Sequence, residues 1–200
     1  MGDLAGKVLA VVGRGDEGHR AIAVACAEAG ATIALGSLDR STEQEYAVNS
    51  IGNEIWSIGE KFLVRVMDAA DPTAAPAFAD ECWDTFGRCD TLVVTSAPGS
   101  EAPIEALSSD EWDVVFRDGA TIPYLFLQAF GRLMVRQGGG TLFAIFPRRD
   151  QADAAERGAR AALDEVTGAF DAAWRGRRVT CSLLETPDTA AIVRATGNPA

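Results

Sequence analysis

The fold is decided by residues 8–35, which read VLAVVGRGDEGHRAIAVACAEAGATIAL. The runs Val8–Val12 and Thr32–Leu35 consist almost entirely of Val, Leu, Ile and Ala, which is typical of parallel strands covered on both faces. Small and apolar residues recur at helical spacing from His19 to Ala29. The stretch therefore predicts a strand, a glycine-rich turn, a helix and a second strand.

The same alternation continues along the chain. Further strands are predicted at Phe62–Val66, Thr91–Thr95, Thr141–Phe146 and Val179–Leu184, and further helices at Thr42–Ile58, Thr73–Phe86, Asp110–Arg136 with a break near Gly119, and Ala154–Arg175. This pattern predicts one α/β domain, a Rossmann-like doubly wound parallel sheet of about six strands in the order 3-2-1-4-5-6. We expect the domain to span residues 1–187 and residues 188–200 to form a short, frayed tail.

Composition limits the partners. The 200 residues include 18 Lys and Arg against 29 Asp and Glu, a net charge of −11 that repels nucleic-acid phosphates and anionic lipids. No apolar run reaches the roughly 18–20 residues of a membrane helix, and the first residues lack a signal-peptide pattern. We therefore expect no nucleic acid, no membrane and a cytoplasmic location. No metal is expected, because the four cysteines lack C-x-x-C spacing and His19 is the single histidine.

A glycine motif follows the first predicted strand. Gly13-Arg14-Gly15-Asp16-Glu17-Gly18 reads G-x-G-x-x-G and opens a predicted helix. Glycines let a pyrophosphate approach the backbone, and the helix N-terminus offers free N–H groups. The motif is therefore a candidate dinucleotide site, although other nucleotide-binding folds and chance also produce it.

From Gly6 to about Pro187, the chain resembles the short-chain dehydrogenase/reductase family, which has a Rossmann fold and binds NAD(P). The similar segments follow the family's order: GKVLAVVG, RAIAVACAEAGATIAL, VMDAADP, FGRCDTLVV, DEWDVVF, GGGTLFAIF and RGRRVTCSLLETP. The resemblance implies that Asp68 contacts an adenine ring. It also places Val94-Thr95-Ser96-Ala97 where the family has its NNAG motif.

The glycine loop departs from the family pattern T-G-x-x-x-G-x-G. The chain has VGRGDEGH there, so Gly13 is kept while Glu17 and His19 replace the second and third glycines. A glutamate beside a pyrophosphate is repulsive unless it turns outward or Arg14, His19 and Arg20 offset it. The alternative is a tight turn that no longer holds phosphate.

The end of the second predicted strand also differs from the family. NAD-preferring members carry an acidic residue there that binds the ribose hydroxyls, and this chain has Ser37. With Arg14 and Arg40 nearby, this change favours a 2′-phosphate and hence NADP, unless Arg40 is simply solvated. The candidate cofactor-binding residues are Gly13, Arg14, Gly15, Gly18, Ser37, Arg40, Asp68 and Ala97. We expect NADP or NAD to bind weakly or not at all.

The family's catalytic set is a Tyr, a Lys four residues later, a Ser and an Asn. The Tyr transfers the proton, the Lys lowers its pKa and the Ser bonds the substrate carbonyl. The only tyrosines are Tyr46 and Tyr124, neither followed by Lys at four, and the only lysines are Lys7 and Lys61. The four positions fall on Glu156, Arg160, Pro147 within Phe146-Pro147, and Gly119. We therefore expect no catalytic residue of the family's type.

Glu156 and Arg160 leave two alternatives open: an exchanged site for an acidic substrate, or an ordinary surface pair one helical turn apart. Three functions follow. The chain is a structural or regulatory subunit without turnover, an oxidoreductase or other enzyme with replaced catalytic residues, or a sensor that binds NADP without turnover.

The helix around residues 124–136 is apolar on almost its whole circumference. All-round apolarity predicts a second buried face, either under a neighbouring helix or at a subunit interface. The family resemblance implies dimers through helices at positions 124–136 and 154–175. We therefore expect a homo-oligomer, or a hetero-oligomer with an active homologue. Phe130 and Met134 test this expectation, since replacing them with Asp should dissociate the assembly if they face the partner.

Overall fold

Six parallel strands form one sheet in the order β3-β2-β1-β4-β5-β6 in the computed structural model, which describes residues 3–96, 99, 102–148 and 152–197. The strands are β1 (Val8–Val12), β2 (Thr32–Gly36), β3 (Phe62–Arg65), β4 (Thr91–Thr95), β5 (Gly140–Ile145) and β6 (Val179–Leu184). Neighbours pair in parallel, with Val8 opposite Thr32 on β2 and Leu9 opposite Thr91 on β4. The predicted Rossmann-like sheet is confirmed.

Helices cover both faces of this sheet. They are α1 (Glu17–Glu28), α2 (Thr42–Ile58), α3 (Ala74–Phe86), α4 (Ser109–Phe116), α5 (Ile122–Gln137), α6 (Ala154–Trp174) and α7 (Thr189–Gly197). Along β1, Ala10 and Val12 face the core under α3, α5 and α6, whereas Leu9 and Val11 face the core under α1, α2 and α7. No helix in the described ranges is long and apolar enough to cross a membrane.

The predicted break near Gly119 is a π-helical turn at Arg117–Thr121 between α4 and α5. α4 begins with a capping box, in which Ser108 and Glu111 bond each other's backbone N–H groups. Gly119 is buried inside the turn. A single π turn of this kind reorients the helix that follows, and such turns are frequent at functional sites.

The apolar circumference of α5 is buried within the chain itself. Phe130 and Met134 are both fully buried, and the Phe130 ring meets Phe78 of α3 edge-on at 5.8 Å between centroids. Burial under neighbouring helices is therefore the correct alternative. The expectation that Phe130 and Met134 face a partner is wrong, because α3, β4, β5 and α6 cover the side of this helix that carries them.

The segment after β6 contains a helix that the sequence pattern missed. α7 packs against α1, and its Ile192 is fully buried in the core on that face. The hydroxyls of Thr196 and Thr91 lie 2.9 Å apart beneath it. The expectation of a frayed tail is thus wrong for residues 189–197.

Candidate functional site

The carboxyl ends of the parallel strands meet at one edge of the sheet, where β1 and β4 diverge to opposite sides. α1 begins here, and Asp16 is its N-cap: Oδ1 of Asp16 accepts the N–H of His19 at 2.9 Å. The start of a helix favours an anion because the N–H groups there are free and the positive end of the helix dipole lies there. In this chain, the Asp16 carboxylate occupies that place.

The His19 side chain packs against the glycine loop and is hydrogen-bonded to its backbone. Its Nδ1 accepts the N–H of Gly15 at 3.0 Å, and its ring lies 3.0 Å from where a Cβ on Gly13 would be. Burial lowers the pKa of His19 to about 4, although Asp16 and the Val11 carbonyl oppose the shift. The imidazole is therefore neutral near pH 7 and does not offset the charge of Glu17. Nε2 is buried and makes no hydrogen bond of ordinary geometry within the described residues.

Glu17 turns outward. Its side chain is 78% exposed, and Arg20 Nη1 donates to it at 3.1 Å. Arg20 also donates two hydrogen bonds to Glu54 of α2, at 2.8 and 2.6 Å. Of the alternatives left by the sequence, the outward orientation is correct, and Arg20 is bound to carboxylates rather than directed at the loop.

An ion pair links the glycine loop to the π turn. Nη2 of Arg14 lies 3.3 Å from Oδ2 of Asp118, and Nε of Arg117 donates to Oδ1 of the same carboxylate at 2.8 Å. Asp118 is buried next to Gly119. The crevice between the first and fourth strands is therefore spanned by a contact between its two walls.

The loop after β2 is also bonded internally. The buried hydroxyl of Ser37 accepts the N–H of Met67 at 2.9 Å and donates to the Met67 carbonyl at 3.2 Å. Oε1 of Gln44 accepts the N–H groups of Leu38 and Asp39, at 2.8 and 3.2 Å. The Ser37 side chain thus ties β2 to the segment after β3, which its sequence position alone does not reveal.

A cavity of about 530 Å³ remains beside these loops. It is lined by Arg14, Leu38, Asp39, Arg40, Asp68, Ala70, Val114, Arg117, Asp118 and Ile122. The structure therefore brings the predicted Arg14, Arg40 and Asp68 together. Gly13, Gly15, Gly18 and Ser37 do not line this cavity. A Cβ on Gly18 would lie 3.4 Å from Oδ1 of Asp16 and 3.7 Å from Pro187. Ala97 lies outside the described residues.

A second cavity, of about 450 Å³, lies at the carboxyl ends of β5 and β6. It is lined by Phe146, Pro147, Arg148, Ala152, Glu156, Arg157, Arg160 and Glu185. Three of the four positions that the resemblance assigns to catalysis are thus gathered here, while Gly119 lies in the π turn.

Glu156 and Arg160 do not form an ordinary surface pair. Glu156 is 2% exposed, and its N–H donates to the N-cap Asp153 at 2.7 Å. Arg160 instead donates to Glu185, just beyond β6. Pairing with Arg160, and to a lesser degree with Arg148, lowers the pKa of Glu185. Glu185 was missed by sequence reasoning, and its only signal was an acidic residue directly after a predicted strand.

The four cysteines, Cys26, Cys82, Cys89 and Cys181, are buried free thiols. Burial raises the pKa of Cys26 and Cys82 to about 12, so they are unreactive near neutral pH. Within the part of the chain that the structure describes, no three His, Cys, Asp or Glu side chains are grouped as metal ligands.

Comparison with known families decides the relationship. The family model described as short chain dehydrogenase matches residues 7–146. The chain belongs to the short-chain dehydrogenase/reductase family. The match includes the glycine loop and Gly119 but ends before Glu156 and Arg160. The assignment of those two positions therefore depends on aligning residues 159–166, ARAALDEV, with the family's helix that carries the catalytic Tyr and Lys.

Two curated members of the short-chain dehydrogenase/reductase family illustrate the relationship. The chain is 35% identical over 139 residues to a D-threitol dehydrogenase of Mycolicibacterium smegmatis, covering 70% of this chain and 52% of the relative. It is 30% identical over 146 residues to an L-rhamnose 1-dehydrogenase (NAD(P)(+)) of a Sphingomonas species, covering 71% and 55%. The chain thus spans about half the length of these relatives.

Solved short-chain dehydrogenase/reductase structures share the fold. A metagenomic short-chain oxidoreductase in complex with NADP superposes with a TM-score of 0.85 at 24% identity, covering 99% of this chain and 93% of that one. Carveol dehydrogenase from Mycobacterium avium in complex with NAD gives a TM-score of 0.84 at 15% identity, covering 92% and 71%.

Proposed function

We propose that this short-chain dehydrogenase/reductase is a non-catalytic structural or regulatory subunit of an oxidoreductase assembly. The family's proton transfer needs a Tyr assisted by a Lys, and Glu156 and Arg160 stand at the aligned positions. Tyr46 and Tyr124 belong to α2 and α5 and do not line the cavity around Pro147. These placements support a chain that does not perform the family's hydride transfer.

The proposal includes weak or absent binding of NAD(P). The observation that carries it is the Asp16 carboxylate at the start of α1, where the family's cofactor places its pyrophosphate. A pyrophosphate would meet that charge, and it would compete for the Gly15 N–H that His19 holds. Each internal hydrogen bond that must break contributes about 0.5–1.5 kcal/mol.

Calorimetry with NAD⁺ and NADP⁺ tests this cofactor statement. We expect no saturable binding by the native chain, and tighter binding by Asp16→Ser, because serine still caps a helix but carries no charge. Asp84→Ser, which removes an exposed carboxylate from α3, is the matched control and should change nothing. Tight binding by the native chain would refute weak cofactor binding.

The curated relatives favour a second candidate, an NAD(P)-dependent oxidoreductase with replaced catalytic residues. Two of these relatives are named as dehydrogenases, one of the sugar alcohol D-threitol and one of the sugar L-rhamnose. In this candidate, Glu156 transfers the proton in place of the family's Tyr. The change in NAD(P)H absorbance with D-threitol or L-rhamnose as substrate distinguishes the two candidates. If turnover is observed and is abolished by Glu156→Gln, but not by Glu165→Gln on the same helix, the chain is an enzyme and the proposal of a non-catalytic subunit is refuted.

The proposed assembly forms through α5 and α6, within residues 124–136 and 154–175. Tyr124 remains 37% exposed and stacks on Phe170 at 5.9 Å between ring centroids. The outward face of α6 carries exposed small residues at Ala161, Gly168, Ala169, Ala172 and Ala173. Small side chains let a facing helix approach closely, which supports packing against a second copy or an active homologue.

A further inference from the structure

The cavity after β5 and β6 has two chemically different sides. Pro147 supplies exposed apolar surface, with Phe146 buried beneath the cavity wall. Arg148, Arg157 and Arg160 supply guanidinium groups, and Glu156 and Glu185 supply carboxylates. Its volume of about 450 Å³ lies in the range of small-molecule pockets. Three guanidinium groups against two carboxylates give this lining a small excess of positive charge, whereas the chain as a whole has a net charge of −11.

A carboxylate of the chain itself lies between two of these arginines. Arg160 Nη2 donates to Oε1 of Glu185, and Arg148 Nη1 lies 3.7 Å from Oε2 of the same group. The Glu185 side chain is 47% exposed and follows β6 in an exposed segment, whereas the Arg160 side chain is only 30% exposed. The guanidinium is thus held in the cavity wall, and the carboxylate is the accessible member of the pair.

We propose that this cavity binds a small carboxylic acid with an apolar body. The ligand's carboxylate takes the place of Glu185 between Arg148 and Arg160, and its body lies on the exposed ring of Pro147. Guanidinium groups bind carboxylates through paired hydrogen bonds, and the two arginines already hold one in this position. The proposal concerns binding alone and goes beyond the role as a subunit.

Displacement of Glu185 is feasible because the ion pair is partly exposed. Ion pairs in contact with water add little to stability, since solvation of the separated charges nearly compensates for their attraction. The segment holding Glu185, residues 185–188, is exposed throughout, so the side chain can turn to solvent without uncovering core residues. The carboxylate of the bound acid then neutralises the charges of Arg148 and Arg160, as Glu185 did before.

The probe is 3-phenylpropionate, with the uncharged 3-phenylpropionamide and inorganic phosphate as comparison ligands, each titrated by calorimetry into the full chain. We expect the carboxylate to bind and the amide and phosphate to bind at least about tenfold more weakly. Glu185→Gln should tighten 3-phenylpropionate binding at least about threefold, since it removes the competing carboxylate. Arg160→Met should weaken it at least about tenfold. A tenfold change corresponds to about 1.4 kcal/mol.

Matched controls are Glu28→Gln on α1 and Arg132→Met on α5, both exposed positions outside the cavity, and neither should alter binding. Equal affinity for the acid and the amide, equal affinity for phosphate, or no gain in Glu185→Gln would each overturn the proposal. If Arg160→Met does not fold, the ligand comparison on the native chain and Glu185→Gln still decide. The titrations use no NAD(P) and no turnover, so their failure leaves the proposed subunit role untouched.

Discussion

Nδ1 of His19 accepts the backbone N–H of Gly15 at 3.0 Å, and this bond ties the glycine loop to the helix that follows it. Gly15 has a positive φ of 80° and packs against Ala47 of α2, so no larger residue fits there. Two contacts therefore fix the glycine loop, the hydrogen bond to the His19 imidazole and the packing of Gly15 against α2. A neutral imidazole is essential, because a protonated Nδ1 cannot accept the Gly15 N–H.

Stability should fall as pH drops below the ordinary pKa of histidine. The pKa of His19 is about 4 in the folded chain against 6.5 in the unfolded chain, so the unfolded chain binds the proton first. The contribution is fully present above pH 6.5 and is lost progressively toward pH 4. From about pH 7 to about pH 5, this group should lower the free energy of unfolding by about 2 kcal/mol, measured by urea denaturation.

His19→Gln is the control for that measurement, since the carboxylates titrate in both proteins and only the histidine differs. The chain has one histidine, so a single imidazole resonance reports its pKa directly by NMR. An imidazole that titrates near 6.5 in the folded protein would contradict the burial of His19.

Two glycines on neighbouring helices should respond oppositely to alanine. A Cβ on Gly131 of α5 would overlap with the Trp174 ring, whereas a Cβ on Gly168 of α6 meets nothing within 4 Å. Gly131→Ala should destabilise the fold by about 1–3 kcal/mol, because the indole must move. Gly168→Ala should stabilise it by about 0.5–1 kcal/mol, because alanine loses less backbone entropy in a helix. Thermal denaturation compares both with the native chain, and a gain in Gly131→Ala would contradict the packing.

The strands could be predicted from the sequence because each is a short, nearly continuous apolar run, and their ends agree with the structure to within one residue. The burial of α5 could not be resolved in the same way. Its all-round apolar pattern shows that a second face is covered but not whether Phe78 or another subunit covers it. α7 escaped prediction because it is only nine residues long and has just two large apolar side chains, Ile192 and Val193, too few to show a helical period. Ile192 is buried through contacts of α7 with α1 and β5.

The site was predicted less completely, for a related reason. The family resemblance singled out Arg14, Arg40 and Asp68, which line one cavity in the structure, but it carried no information on the hydrogen bonds within the chain. The hydroxyl of Ser37 and the carboxylate of Glu185 are held by partners 30 and 25 residues away in the chain. Such partners become visible only when the strands bring them together.

α7 should be an integral part of the fold. Ile192→Ala should lower the free energy of unfolding by about 2–5 kcal/mol, because it removes a fully buried side chain from the core beneath α1. Thr196→Val should cost about 1 kcal/mol, because it leaves the buried Thr91 hydroxyl without this partner. Val193, which is only partly buried, provides the comparison, and Val193→Ala should cost less than Ile192→Ala in the same denaturation experiment.

The assembly through α6 should be sensitive to charge on its outward face. Ala169→Arg and Ala172→Arg replace exposed small residues with long cations, so they should leave the monomer folded. At a close helix contact, they would force apart the facing helices, and we expect the dissociation constant to rise at least about tenfold, or about 1.4 kcal/mol. Sedimentation equilibrium of the chain alone, and of its mixture with an active homologue, measures this change.

Ala190→Arg on α7 is the matched control, because it adds the same charge at an exposed position outside α5 and α6. Phe130→Ala separates interface effects from packing effects. Its side chain is fully buried, so it should lower the free energy of unfolding by about 3–5 kcal/mol rather than act on the contact surface. A native chain that sediments as a monomer under both conditions would refute the proposed assembly. Dissociation by Ala190→Arg but not by Ala172→Arg would move the interface from α6 to the surface around α7.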